Sequence, residues 1–331
     1  MNPNDLTACA PAKLNLFFEV LRRQESGYHE IESLVTGITL YDTLHVRLPI
    51  KNAVSSGEYE QGIHFEVQFP EDSRFQTLFK GHSIPADEKN LVVKAAYALR
   101  KIALKKWCKS ESLPCADIIL MKRIPSEAGL GGGSSDAATT LMLLNRLWNL
   151  NLSREELISL GADLGCDVPL FLGKLPVICR GRGEILEEVP QAEMLPKLNF
   201  ILLKPPVGLS TAQVYQKCVP KEKCQQLGQE PLPGLEENHI SAIINAWREN
   251  NLLGIAPHFF NRLLVSARSV SPWISLVETR FMELPDPCLA FSMTGSGSAF
   301  FGLCRDVIHA KTVAAHLKQY PIGEVFVIQT S

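Results

Sequence analysis

The sequence predicts an α+β protein of two domains. Its 331 residues exceed the usual size of a single domain, and its alternating apolar segments are typical of strands. A strand pattern and a helical pattern flank a glycine-rich loop in the first half of the chain. After Gly183 the chain changes character, so we place the boundary near residue 185, between an N-terminal domain of residues 1–185 and a C-terminal domain of residues 186–331.

Strand and helix patterns alternate through the N-terminal half. Four segments have strand patterns: 6–21, 34–48, 63–69 and 116–122. Residues 41–43 (Tyr-Asp-Thr) predict a tight turn inside the second segment. Helical spacing begins at Asn90 and again at Ser134, and Ser153 with Glu156 forms a capping-box start for a third helix.

The C-terminal half mixes both patterns. Strands are predicted at 200–203, 289–293, 299–303 and 324–328, and helices at 239–253, 260–282 and 307–317. Residues 218–238 are rich in Pro, Gly, Lys, Glu and Gln, which predicts an exposed loop or insertion.

Composition excludes several classes of function. A formal net charge of −2 gives no electrostatic reason to expect binding to nucleic acid or to an acidic membrane surface. The nine cysteines are scattered without zinc-site spacing, which is typical of reduced thiols in a cytosolic protein. We see no signal peptide and no apolar stretch long enough to span a bilayer, so we expect a cytoplasmic location.

The glycine loop carries the main chemical signal. It extends from Pro125 to Asp136 and has four glycines among the five residues from Gly129 to Gly133. It lies between a predicted strand and a predicted helix, so its N–H groups and the positive end of the helix dipole form an anion site. Ser134 and Ser135 add hydroxyl groups suited to phosphate oxygens or magnesium, and Asp136 complements the dipole in the first helical turn.

Two common phosphate motifs do not fit this loop. No Gly-Lys-Ser/Thr closes it as a Walker A motif does, and its glycine spacing differs from that of dinucleotide-binding loops. The alternative of a flexible Gly/Ser linker is disfavoured because strand and helix patterns adjoin the loop on both sides.

Three further features have a structural and a functional interpretation. Lys13 heads an apolar strand and is either an ordinary strand-edge lysine or a catalytic lysine beside a hydroxyl. Asp167 is either a helix N-cap or a general base for a substrate hydroxyl. The turn Thr294–Ser298 either closes a hairpin or brings a second glycine backbone to the site.

Together these residues resemble the GHMP kinases over nearly the whole chain. Three motifs occur in the order expected of that superfamily: Pro11 to Asn15, Pro125 to Ala138, and Met293 to Ser298. The resemblance implies an N-terminal domain like ribosomal protein S5, a ferredoxin-like C-terminal domain and an active site in the cleft between them. It also implies a small molecule as substrate, ATP and Mg²⁺ as cofactors, and a monomer or weak homodimer.

The resemblance implies roles for individual residues. Asp167 matches the catalytic aspartate that takes the proton of the substrate hydroxyl, and Lys13 matches the lysine that holds both groups. ATP contacts are implied for ten residues, and no residue is assigned as a metal ligand. The ten are Asn90, Pro125, Gly129, Leu130, Gly131, Gly132, Gly133, Ser134, Ser135 and Asp136.

Finer details resemble the member of the superfamily that phosphorylates the 2-hydroxyl of a cytidine-diphosphate polyol in the non-mevalonate route to isoprenoids. Tyr28 and Tyr215 match aromatic residues on the two faces of the cytosine, and His29 matches its hydrogen-bonding partner. The implied substrate contacts are Asn15, Tyr28, His29, Arg182, Thr211, Tyr215, Gly295 and Ser296.

Two departures from the family pattern stand out. Glu127 occupies a position that is usually glycine or another small residue, and its carboxylate would weaken ATP binding unless it points to solvent or binds magnesium. Residues 218–238 differ from the expected compact linker. The alternatives are another GHMP kinase, of the mevalonate or homoserine type, and a non-catalytic metabolite-binding relative; the presence of both Lys13 and Asp167 argues against the latter.

Overall fold

The computed structural model describes residues 4–49, 62–72, 75, 78–79, 84–106, 115–226 and 238–331. Helices and strands intermix along the chain, which confirms the predicted α+β class. The chain divides into two compact units. The described parts of 1–12, 40–124 and 131–173 form the first, and 13–39, 125–130 and 174–331 form the second. Each unit is therefore discontinuous in sequence, and the simple division near residue 185 stays a prediction.

In its described residues, the first unit contains four strands in whole or in part. They are β1 (Asp5–Arg23), β2 (His29–Arg47), β3 (Ile63–Gln68) and β4 (Ala116–Met121), of which β1 and β2 continue into the second unit. Strand β4 pairs antiparallel with β2, with Thr43 opposite Met121, and parallel with β3.

The tight turn predicted at residues 41–43 is wrong. Strand β2 runs through them without a break because Asp42 is fully buried and its carboxylate accepts hydrogen bonds from the backbone N–H groups of Arg123 and Ile124. A polar side chain whose hydrogen bonds are made inside a sheet does not need contact with solvent, so the strand can continue through it.

The described residues of the first unit include four helices with assigned bounds: α1 (Leu91–Lys106), α2 (Gly132–Leu147), α3 (Arg154–Leu164) and α4 (Val168–Leu172). Apolar faces of α1 and α2 are buried, with Leu99 and Leu141 fully so. The predicted capping box is confirmed, since the Ser153 side chain accepts from the Glu156 N–H and the Glu156 carboxylate accepts from the Ser153 N–H.

Outside 227–237, the second unit contains seven further strands, which are β5 (Val177–Arg180), β6 (Ile185–Glu188), β7 (Asn199–Lys204), β8 (Phe260–Asn261), β9 (Ala290–Met293), β10 (Phe300–Cys304) and β11 (Glu324–Gln329). An antiparallel sheet has the order β11-β7-β10-β9. Strand β5 pairs with β2 and β6, and β8 lies parallel to β1.

Where the structure describes the second unit, it has seven α-helices, namely α5 (Thr211–Gln216), α6 (Lys221–Gln226), α7 (His239–Arg248), α8 (Leu252–Ile255), α9 (Leu263–Val270), α10 (Pro272–Met282) and α11 (Val307–Leu317). Helices α9, α10 and α11 share a hydrophobic core with the antiparallel sheet, where Phe281 and Leu317 meet Leu203 and Phe300.

Two predictions for this half need correction. The single helix predicted over 260–282 is instead β8, α9 and α10, with a break at Ser271 because Pro272 cannot continue a preceding helix. The predicted insertion at 218–238 includes helix α6, while 227–237 lie outside the described residues. In the part of the chain that the structure describes, no helix is long and apolar enough to cross a membrane.

Candidate active site

Two glycines set the path of the glycine loop. Gly129 has φ +73°, and a Cβ there would overlap the carbonyl oxygen of Thr294. Gly131 is the N-cap residue of α2 in the left-handed region, with φ 70° and ψ 15°. Side chains are strained in this region, so only glycine takes these positions without cost. Helix α2 thus begins at Gly132, and its first N–H groups have no carbonyl of the preceding turn to bind.

The first part of the loop is anchored by backbone hydrogen bonds within the second unit. The Leu130 carbonyl accepts from the Lys13 N–H at 3.0 Å, and the Ala128 carbonyl accepts from the Ala299 N–H at 3.2 Å. Strand β1 and the start of β10 therefore hold the loop on both sides.

Lys13 is 4% exposed and donates through Nζ to the Asn15 side-chain oxygen. A Cβ added to Gly295 would lie 3.1 Å from this Nζ, so the turn Thr294–Ser298 approaches the lysine through a glycine backbone. The Asn15 N–H donates to the Thr294 hydroxyl at 3.1 Å. Two of the three motifs thus meet within the second unit, at Lys13 and Gly295.

Asp167 occupies the N-cap position of α4 in the first unit. Its side chain makes no capping hydrogen bond, so the carboxylate does not cap the start of the helix. The structural interpretation of Asp167 as a cap therefore loses its main support. The catalytic pairing of Asp167 with Lys13, which belongs to the second unit, stays a prediction.

Asp136 lies in a buried charge cluster that the sequence reasoning missed. The Lys122 ammonium donates to Asp136 Oδ2 at 2.8 Å and also to Asp42, and all three side chains are at most 5% exposed. Burial disfavours the charged form of Lys122, but the two carboxylates outweigh that effect and raise its pKa. Burial raises the pKa of Asp136 well above its usual range, against the opposing charge of Lys122. Asp136 is thus an ion-pair partner. The prediction that it lies in the first helical turn is wrong, because α2 begins at Gly132 and not at Ser134.

A signal for this cluster exists in the sequence. Lys122 and Asp42 are charged residues next to or inside apolar strand patterns, where a charge requires a partner. Their separation of 80 positions hides the pairing, because only the register of β2 against β4 brings them together.

Asn90 acts as a capping residue at the start of α1. Its side-chain oxygen accepts from the Val92 N–H at 2.9 Å, and its amide nitrogen donates to the Pro85 carbonyl at 2.7 Å. The implied contact of Asn90 with adenine stays a prediction.

The residues implied in cytosine binding form two pairs in the second unit. The rings of His29 and Tyr215 lie 5.1 Å apart between centroids, at 40° to each other. The Arg182 guanidinium lies 5.0 Å from the centre of the half-exposed Tyr28 ring. Burial, and then the charge of Arg23, lower the pKa of His29, so its imidazole is neutral at pH 7.

Thr211 and Ser296, the other residues implied in substrate contacts, also lie together in the second unit. Their hydroxyl oxygens are 2.8 Å apart, so helix α5 is joined here to the turn Thr294–Ser298. The structure therefore brings together the substrate-side residues in pairs, while their contact with a ligand stays a prediction.

Two polar atoms near the start of α2 lack a hydrogen-bond partner among the described residues. They are Ser135 Oγ and Asp136 Oδ1, both buried. Buried polar atoms are normally satisfied, so unsatisfied ones beside a phosphate-type loop are expected where a ligand, ion or water binds.

Comparisons with known proteins identify the family of this chain. Residues 90–173 match the family described as GHMP kinases N terminal domain. The 4-diphosphocytidyl-2-C-methyl-D-erythritol kinase of Carboxydothermus hydrogenoformans is 33% identical over 304 residues, covering 92% of this chain and 90% of that protein.

Solved structures share the fold. A crystal structure of 4-(cytidine 5'-diphospho)-2C-methyl-D-erythritol kinase matches with a TM-score of 0.71 and 30% identity, over 98% of this chain and 100% of that one. The mevalonate kinase of L. major matches in fold alone, with a TM-score of 0.63 and 15% identity over 99% of this chain and 97% of that one. The resemblance and fold class expected from the motifs are thereby confirmed, and the chain belongs to the 4-diphosphocytidyl-2-C-methyl-D-erythritol kinase family of the GHMP kinases.

Proposed function

We propose that this chain transfers the γ-phosphoryl group of ATP to the 2-hydroxyl of 4-diphosphocytidyl-2-C-methyl-D-erythritol, a step of the non-mevalonate route to isoprenoid precursors. The observation that carries the proposal is the match to a kinase of this name over 92% of the chain. A match of this extent includes the glycine loop as well as the regions of Asp167 and Tyr215, because these lie far from both ends of the chain.

The proposed reaction moves one phosphoryl group and one proton. The substrate oxygen forms a bond to the γ-phosphorus, the bond from that phosphorus to the bridging oxygen breaks, and ADP leaves. The hydroxyl proton passes to Asp167. Lys13 holds the hydroxyl and stabilises the negative charge that develops on its oxygen. Phosphoryl transfer depends mainly on positioning and charge stabilisation, which a base, a lysine and a backbone cradle supply.

The local geometry supports these roles. The Asp167 carboxylate is not engaged as a helix cap, and Lys13 is buried with Asn15 and Gly295 beside it. The start of α2 offers backbone N–H groups to a phosphate, as helix N-termini generally do.

Magnesium fits the residues near this helix start. Ser135 Oγ and Asp136 Oδ1 are the buried oxygens without a partner among the described residues, and Mg²⁺ prefers oxygen ligands. The described residues contain no group of three or more His, Cys, Asp or Glu arranged to hold a metal. Such a site agrees with Mg²⁺ that is held chiefly by ATP phosphates and water, with these two side chains as additional ligands. Bound there, the ion supplies positive charge that shields the phosphates.

The cytosine end of the substrate is assigned to the aromatic pairs. Tyr28 and Tyr215 would contact the base, and the neutral imidazole of His29 would exchange hydrogen bonds with it. Support comes from the adjacency of His29 to Tyr215 and of Arg182 to Tyr28. The cytoplasmic location and the state of monomer or weak homodimer stay predictions.

The proposed function is tested with the purified chain, ATP and magnesium, and three acceptors: the diphosphocytidyl methylerythritol, mevalonate and homoserine. We expect phosphorylation of the first alone, with one phosphate added to the 2-hydroxyl. Phosphorylation of mevalonate or homoserine alone would contradict the proposal and favour another GHMP kinase. Binding of the cytidine compound without turnover would favour a non-catalytic metabolite-binding protein.

A further inference from the structure

Glu127 has an unusual backbone for a residue with a side chain. Its φ of +51° lies in the left-handed region, where a residue other than glycine is uncommon. It stands two positions before Gly129, in the part of the glycine loop that belongs to the second unit. The conformation requires other contacts to stabilise it.

The Glu127 carbonyl supplies part of that stabilisation. It accepts from the Ser298 N–H at 3.3 Å and from the Leu209 N–H at 3.4 Å. One residue of the loop is therefore bonded both to the turn Thr294–Ser298 and to the segment that follows β7.

The Glu127 side chain lies against the backbone of Gly208. A Cβ added to Gly208 would overlap Glu127 Oε2 and would lie 2.7 Å from the Glu127 Cβ. The carboxylate can occupy this place only because residue 208 has no side chain. The side chain therefore lies against the segment that follows β7, within the second unit.

Lys204 is the charged residue that contacts the segment after β7. It is 6% exposed at the end of β7, and its ammonium donates to the Pro205 carbonyl at 2.7 Å and to the Val207 carbonyl at 2.8 Å. Burial lowers the pKa of Lys204 to about 8, and the Glu127 carboxylate opposes that shift. Glu127 thus helps to keep a buried cation charged, and that cation orders residues 205–207.

We infer that Glu127, Gly208 and Lys204 form a latch that positions the first half of the glycine loop for ATP. The latch consists of the hydrogen bonds to the Glu127 carbonyl, the close approach of Glu127 to Gly208, and the attraction between the Glu127 carboxylate and the ammonium of Lys204. These are positioning residues, because they act on the phosphates through Gly129 and Leu130. The inference rests on the proposed function only in taking ATP as the ligand of the loop.

The test measures nucleotide binding without the second substrate. Titration calorimetry with magnesium and a non-hydrolysable ATP analogue is applied to the full chain and four variants. Gly208→Ala forces Glu127 out of its place, so binding should weaken about tenfold, which corresponds to about 1.4 kcal/mol. Glu127→Gly should weaken binding less. The double variant should bind like Glu127→Gly alone, because without the Glu127 side chain the Cβ of Ala at position 208 has nothing there to clash with. Glu193→Gln, at an exposed carboxylate of the same unit, should leave binding unchanged.

The outcomes separate the latch from the proposed function. If the wild-type chain binds the analogue and both single variants bind it equally well, the latch is wrong and the kinase proposal stands. If the losses of binding free energy in the two single variants add in the double variant, the latch is also wrong. Additive losses would mean that Gly208→Ala damages the fold in a way that does not depend on Glu127. If the wild-type chain binds no analogue, the proposed function fails, and the latch fails with it.

Discussion

The ammonium of Lys122 donates a 2.8 Å hydrogen bond to Asp136, which joins the end of strand β4 before the glycine loop to helix α2 after it. Both side chains are buried, and Asp42 is the second carboxylate on the same ammonium. The buried Lys122 ammonium therefore connects the strand before the glycine loop to the helix after it, and both elements belong to the first unit. Gly132 allows this approach, since a Cβ there would lie 3.0 Å from the Lys122 Nζ.

Replacing Lys122 should be costly. Lys122→Met leaves Asp42 and Asp136 buried without their cation, and removal of one partner from a buried ion pair costs roughly 3–5 kcal/mol. We expect a fall of that size in the free energy of unfolding, measured by urea denaturation. Asp136→Asn, which removes one negative charge and keeps an oxygen acceptor, should cost less. Equal stability of Lys122→Met and wild type would show that the cluster does not stabilise the fold.

Two glycines of the loop should respond in opposite ways to alanine. At Gly129 the added Cβ overlaps the Thr294 carbonyl and the backbone has φ +73°, so Gly129→Ala should lose about 1–3 kcal/mol of stability. At Gly133, inside helix α2, the nearest atom to an added Cβ is Leu91 Cδ1 at 3.9 Å. Alanine favours helix over glycine, so Gly133→Ala should keep or raise the melting temperature. The check is thermal unfolding of both variants, and a loss at Gly133 as large as that at Gly129 would contradict the prediction.

Asp167 should matter for turnover and not for nucleotide binding. Asp167→Asn keeps the size of the side chain and removes the base, so kcat should fall by about 10²- to 10⁴-fold while the affinity for the ATP analogue stays unchanged. The neighbouring Asp163→Asn is a matched control, because Asp163 is an exposed residue of α3. Unchanged kcat in the Asp167 variant would show that this residue is not the base.

Tyr215 should affect the cytidine substrate alone. Loss of stacking on a base costs about 1–3 kcal/mol, so Tyr215→Leu should raise KM for the cytidine substrate by roughly 5- to 150-fold and leave KM for ATP unchanged. Tyr215→Phe keeps the ring beside His29 and should behave nearly as wild type. Steady-state kinetics with each substrate varied separately provide the measurement. An equal rise in both KM values would point to a general disturbance of the fold.

Local patterns predicted the regular elements well. Alternation placed β1, β4 and β11 in the sheets, and the capping box at Ser153 marked the start of α3. Such features depend on neighbours a few positions apart, which is why they can be recognised without tertiary structure. The break between α9 and α10 was missed although Pro272 marks it, because apolar spacing continues across the proline.

By itself the sequence predicted an anion-binding loop between a strand and a helix, because the glycine spacing and the flanking patterns suffice for that. Lys13 and Asp167 became candidates for catalysis through their match to the GHMP kinase motifs, since each residue alone also fits a structural role. Tertiary structure alone decided what the charged residues around the loop do. Asp42 was expected in a turn and is instead a buried ion-pair partner of Lys122. Glu127 was expected near the phosphates, and its side chain lies against the backbone of Gly208. These contacts form between segments that are far apart in the sequence. The order of charged residues along the chain does not show which of those segments come together in the fold.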